Sequence, residues 1–161
     1  MQTQACVNLK AKGDILGRPE IEILVDRFYA MVRQDAVLGP VFDVIARVNW
    51  DEHIPKLCDF WETVLFRTGG YKGNPLAAHF ALTRDATMDR AMFDGWLLLF
   101  KQAVDADFAG ENAEHIKRVA ADMANVIHSR LQAAAITPLP AIPGRSYADY
   151  RRREPSVPPG R

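Results

Sequence analysis

Apolar residues in this chain recur at three- and four-residue steps in four separate segments, and no stretch alternates apolar with polar residues as a half-buried strand would. That pattern predicts an all-α protein. The first segment carries Ile21, Leu24, Val25, Phe28 and Val32, with Pro19 suited to a first helical turn and Glu20 complementing the helix dipole. Asp35 to Pro40 is expected to break it, because Gly39-Pro40 reads as a stop. Val41, Phe42, Val44 and Ile45 suggest a short helical turn. The next helix is expected from about Trp50 to Arg67, with Trp50, Ile54, Leu57, Trp61 and Val64 as its stripe and Gly69-Gly70 as its end.

After the linker Tyr71-Lys72-Gly73, Asn74 reads as an N-cap and Pro75 as the first helical position. They launch one or two turns, Leu76 to Phe80, which carry His79. Two longer helices come next. One runs from about Met88 to Asp107, with Phe93, Trp96, Leu97 and Phe100 inward. The other runs from about Ala113 to Ala135, with Ile116, Ala120, Met123, Val126, Ile127 and Leu131 inward. Phe108-Ala109-Gly110 joins them.

The ends have a different character. Residues 1–17 read as a loose arm and 18–135 as one helical domain, a size that supports a full core. Residues 136–161 hold Pro138, Pro140, Pro143, Pro155, Pro158 and Pro159 with Arg151-Arg152-Arg153, which predicts an extended or disordered tail. Lys plus Arg and Asp plus Glu both number 20, so no net charge draws the chain to nucleic acid or to a membrane surface. The first residues lack a signal-peptide core, and no apolar run is long enough to span a bilayer, so the expected location is the cytoplasm. Cys6 and Cys58 lie far apart and in no C-x-x-C pattern; Cys58 reads as a small buried hydrophobe.

Four side chains stand out chemically. His79 sits on a short helix behind a glycine-rich break, a device that can aim one side chain into a pocket, although a lone histidine is more often a surface or capping residue. His53 falls on the apolar face of its helix, among Trp50, Leu57, Phe60 and Val64, so its ring nitrogens need partners. Tyr29 lies at the edge of the first stripe and Trp96 within its helix's apolar face; each is a hydrogen-bond donor or a packing residue. A non-haem metal site would want a carboxylate and a histidine at helical spacing. Glu52 and His53 are adjacent and diverge, His115 is flanking, and His128 is expected to be exposed. Haem needs only one strong protein ligand, and imidazole is a common one. With no C-x-x-C-H present, haem would be held non-covalently. Phosphate-binding glycine loops and nucleophile elbows are likewise missing.

The ordered set Phe28-Tyr29, Leu38 to Phe42, Trp50 to His53, Phe60-Trp61, Tyr71 to His79 and Trp96 to Phe100 resembles the group III truncated haemoglobins of bacteria, over roughly residues 20–131. The resemblance implies a truncated globin, a two-over-two helical sandwich around haem b. It implies His79 as the proximal iron ligand, and Tyr29 and Trp96 as distal donors to bound dioxygen. His53 then takes the place of the distal histidine, which in this group can swing as a gate. Leu57, Phe60, Trp61 and Phe42 match positions of the haem pocket, and Lys72 and Arg84 are candidate cations for the haem propionates. Thr83-Arg84-Asp85 matches no motif, and the proline-rich tail lies beyond the resemblance.

The function implied by this resemblance is reversible binding of dioxygen, nitric oxide and carbon monoxide. An enzyme on the same scaffold, a nitric oxide dioxygenase or a peroxidase-like protein, is the alternative, because polar distal pockets favour ligand activation. The chain carries no flavin or nicotinamide motif, so turnover would draw on an external reductase. A haem-free helical module that docks a partner through its Arg-rich tail is the third reading.

Overall fold

The expected stripes emerge as helices in the computed structural model, which describes residues 12–83 and 85–136. Helix α1 spans Arg18–Gln34 and α2 Leu38–Pro40, the latter running directly into a π-helical turn at Val41–Ile45. Then come α3 at Trp50–Phe66, α4 at Pro75–Leu82, α5 at Arg90–Asp107 and α6 at Glu111–Ile136. All regular structure among the described residues is helical; an isolated parallel bridge joins Gly13 to Phe108. No described helix is long and apolar enough to cross a membrane.

The architecture is two helices over two. The α1–α3 pair lies against α5 and α6, with α1 on α5 and α3 on α6, and short α4 leans on α6. Burial of α1's stripe drives this: Ile21, Leu24, Val25 and Val32 are fully buried, and Phe28 meets Phe100 of α5 edge-on at 5.2 Å between ring centroids. Trp61 of α3 stacks on the same Phe100 at 4.8 Å.

Several local expectations are corrected. Gly39-Pro40 opens a helix instead of stopping one. Asp35 ends α1, and its side chain accepts the backbone N–H groups of Val37 and Leu38 at 2.9 and 2.8 Å, turning the chain at once into α2. A Cβ at Gly39 would sit 2.8 Å from the Arg33 carbonyl oxygen, so only glycine lets the chain fold back this closely on α1. The turn at 41–45 is π-helical, a form common at functional sites. Helix α3 ends at a left-handed Arg67 (φ 56°), before Gly69-Gly70 is reached.

Asp89 caps α5 by accepting the Met92 N–H at 3.0 Å, which starts that helix two residues later than expected. Val126, expected inward, is 57% exposed, because α6 buries Ala120, Ala124, Ile127 and Leu131 and Val126 lies off that line. His128, expected to be exposed, is half-buried, with Phe93 edge-on at 5.5 Å. The described end of the expected loose arm, residues 12–17, is tied down at Asp14 and Ile15. Ile15 is fully buried, and the Asp14 carboxylate accepts the backbone N–H groups of Asn112 and Ala113 at 2.9 and 2.8 Å, capping α6 from a distance in sequence. The proline-rich tail beyond Ile136 and Arg84 lie outside the described residues.

Candidate functional site

Among the described residues the buried side chains form two apolar clusters. The larger is built on α1, α3 and α5 around Phe28, Trp61 and Phe100; the smaller joins Phe93, Ala124, Ile127 and Leu131 with Leu76 and Phe80 of α4. Between them lies a cavity of about 310 Å³, walled by residues of both clusters. Ligand sites are commonly of this size, apolar with a few convergent polar groups.

Tyr29, His53, His79 and Trp96, brought from four different helices, all line this cavity. So do Leu57, Phe60, Trp61 and Phe42. Lys72 is exposed and is not part of the wall, and nothing is described of Arg84. Sequence reasoning missed Met88, Met92 and Tyr71, and took Phe93, Met123 and Ile127 for ordinary core; all six line the cavity. Helical periodicity marks a residue as inward without telling a filled core from a cavity wall. A glycine partly signals Tyr71: a Cβ at Gly73 would collide with its ring.

His79 is set by its helix. Asn74 caps α4 by accepting the Ala77 N–H at 3.1 Å, and Pro75 takes the first turn. One turn on, the His79 ring Nδ1 lies 2.7 Å from the Pro75 carbonyl oxygen. A carbonyl only accepts, so Nδ1 carries the proton. In the neutral ring Nε2 then keeps its lone pair as the free ligand atom of a cavity-lining imidazole. Phe93 backs this ring at 6.2 Å between centroids.

Polar groups of the larger cluster gather in one corner. Tyr29 is 5% exposed and touches Phe28, Phe42, Trp50 and His53, with centroids 4.7 to 5.8 Å away. Burial pushes its phenol well above the ordinary value, and the neighbouring Trp96 side chain opposes that shift only in part. The hydroxyl therefore stays protonated and able to donate. Burial also holds His53 below its ordinary value, helped by the positive charge of Lys56, so this imidazole is neutral at pH 7. Trp96 packs edge-on to Phe28 at 5.3 Å and stacks on Phe100 at 5.4 Å. The arrangement offers one ligand nitrogen, three neutral polar groups and otherwise apolar walls. Among the described residues no cluster of three or more His, Cys, Asp or Glu could hold a metal ion by itself. Cys58 is buried away from the cavity wall, and burial pushes its thiol up to about 11, so it is no nucleophile at neutral pH.

Comparison with known proteins finds relatives in sequence and in fold. No family model matches the chain. Group 3 truncated hemoglobin ctb of Campylobacter jejuni is 31% identical over 124 residues, which are 75% of this chain and 92% of that protein. The crystal structure of the group III truncated hemoglobin from Campylobacter jejuni superposes with a TM-score of 0.67 at 30% identity, covering 75% of this chain and 95% of that one. The structure of Chlamydomonas reinhardtii THB1 gives 0.55 at 25% identity, covering 69% and 89%.

Proposed function

The chain belongs to the group III truncated haemoglobins, and from that premise we propose that it holds haem b non-covalently in the cavity between its two clusters, with His79 as the ligand to iron, and binds dioxygen and other diatomic gases there. The observation that carries this reading is the Nδ1 contact of His79 with the Pro75 carbonyl. It commits the free lone pair to Nε2, the atom through which this imidazole would hold a haem iron. Haem, where bound, would supply an iron able to take a diatomic gas as ligand.

The chain's own groups do the rest. Phe93, Met123 and Ile127 on one side and Leu57, Phe60 and Trp61 on the other offer apolar surface to the macrocycle and keep water away. The Tyr29 hydroxyl and the Trp96 indole N–H are donors for a ligand that gains negative charge. His53, neutral and half-buried, adds a third polar group to that corner. Lys72 and Arg84 are proposed as cations for the propionates. The globin unit is assigned to residues 18–135, extended by the capping segment 12–17, in a cytoplasmic protein.

Three polar groups around one corner also favour a second reading, an enzyme that activates its gas ligand, as a nitric oxide dioxygenase or peroxidase-like protein served by an external reductase. Titration of the purified protein with haemin tests the shared premise. One equivalent is expected to bind and give haem b spectra in ferric, ferrous and carbonyl forms. A colourless protein would leave a helical module with an empty pocket and overturn both readings.

A further inference from the structure

Trp50 does not line the cavity, yet it joins the cavity's polar corner to a charged pair on the surface. On its inner side the ring meets Tyr29 at 5.5 Å, His53 at 5.8 Å and Phe42, nearly parallel, at 6.0 Å. On its outer side the Arg33 guanidinium sits 5.0 Å above the ring. Its indole N–H donates to the Asp43 carboxylate at 2.8 Å, and that carboxylate also pairs with Arg33 at 3.7 Å. Asp43 stands on the π-helical turn, whose Val41 and Phe42 are wall residues. Just after the turn, Arg47 is held at φ 50° between two more wall residues, Ala46 and Val48. An indole has one donor and can rotate about two side-chain bonds, so a charge-assisted bond at that donor sets the ring plane.

We propose that Asp43 is a positioning residue of the cavity: by holding the Trp50 indole N–H and pairing with Arg33, it fixes the ring against which Tyr29 and His53 are packed. It acts through Trp50 and touches no ligand itself. The pair is solvent-exposed, so its hold weakens as salt screens the charges. The proposal concerns the wall whether or not haem occupies the cavity; only its kinetic consequence rests on the function proposed above.

The test compares Asp43→Ala, Asp43→Asn and Trp50→Phe in the full chain, with far-UV circular dichroism to establish that each folds. The first readout is the His53 titration by NMR in haem-free protein. Removing a nearby negative charge would by itself lower that titration. Loosening the Trp50 ring admits water to His53 and raises it toward the ordinary value. Asp43→Ala is expected to raise it; Asp43→Asn, whose amide oxygen still accepts the indole N–H, is not.

The second readout is carbon monoxide association after photolysis of haem-loaded protein. Asp43→Ala and Trp50→Phe are each expected to change the rate roughly three- to tenfold, the span of an ordinary net hydrogen bond, because solvent screens the charge of this exposed pair. The double variant is expected to do no more than either single one, and Asp43→Asn to stay near the parent. A folded Asp43→Ala protein whose His53 titration is unmoved or lowered would overturn the proposal. So would additive effects of the two substitutions on the rate. If no haem binds, the function proposed above fails while the titration still decides this proposal.

Discussion

At the scale of single residues, three neutral polar groups around one cavity corner set the chemistry. With the Tyr29 phenol pushed upward by burial, its hydroxyl remains a donor across the physiological range. Tyr29→Phe is expected to raise the dioxygen dissociation rate roughly two- to tenfold, the equivalent of a neutral hydrogen bond worth ~0.5–1.5 kcal/mol. Stopped-flow displacement of dioxygen by carbon monoxide measures it, and an unchanged off-rate would remove Tyr29 from the ligand's surroundings. His53 carries a pH signature. Its folded-state pKa is depressed by burial, so the unfolded chain binds the extra proton first as pH falls. Stability from this group is intact above the ordinary value of 6.5 and declines as pH drops below it toward the folded value. His53→Gln is expected to flatten the dependence of the urea midpoint on pH in that window; an unaltered slope would mean that His53 is already solvated. Residues such as these were legible in the sequence because a polar side chain on an apolar helix face is conspicuous. The apolar wall residues Phe93, Met123 and Ile127 were legible only as core.

At the scale of elements, the long helices were legible and their ends were not. Periodicity gives the middle of α1, α3, α5 and α6, because many side chains vote for one face. Termini depend on single capping groups that can come from far away. Asp14 illustrates this. Burial alone would raise its pKa, but the backbone N–H groups of Asn112, Ala113 and Ile15 outweigh that and hold the carboxylate below its ordinary range. Nothing in the local sequence of α6 announces a cap almost a hundred residues upstream. Asp14→Ala is expected to cost about 1–2 kcal/mol, the usual loss for an N-cap, read as a lower thermal midpoint. The contribution is present above the ordinary carboxylate pKa and is lost as pH falls through the depressed value. A midpoint equal to that of the parent at pH 7 would show the cap to be dispensable. The π-helical turn at 41–45 was equally hidden, since one extra residue per turn leaves no mark in so short an apolar run.

At the scale of the whole molecule, the described residues build two apolar clusters, bridged by Met123, that both border one cavity. An occupant that touches both walls gives the side chains lining them dispersion partners and thereby stabilises the fold. Haem at one equivalent is therefore expected to raise the thermal midpoint by several degrees, by an amount that grows with the logarithm of its affinity, as for any ligand of the native state. Of this arrangement the sequence displayed the helices and the polar groups; the gap is a property of how the helices pack and has no local signature. The central claim is that the Nε2 atom of His79 holds the iron. Its most direct test is the visible spectrum of His79→Gly protein with haem, recorded before and after adding free imidazole. The account predicts that the substitution disrupts the parent spectrum and that imidazole, entering the space left by the side chain, restores it. A His79→Gly protein whose spectrum equals the parent's without imidazole would contradict the account, because the iron would then be held by some other group.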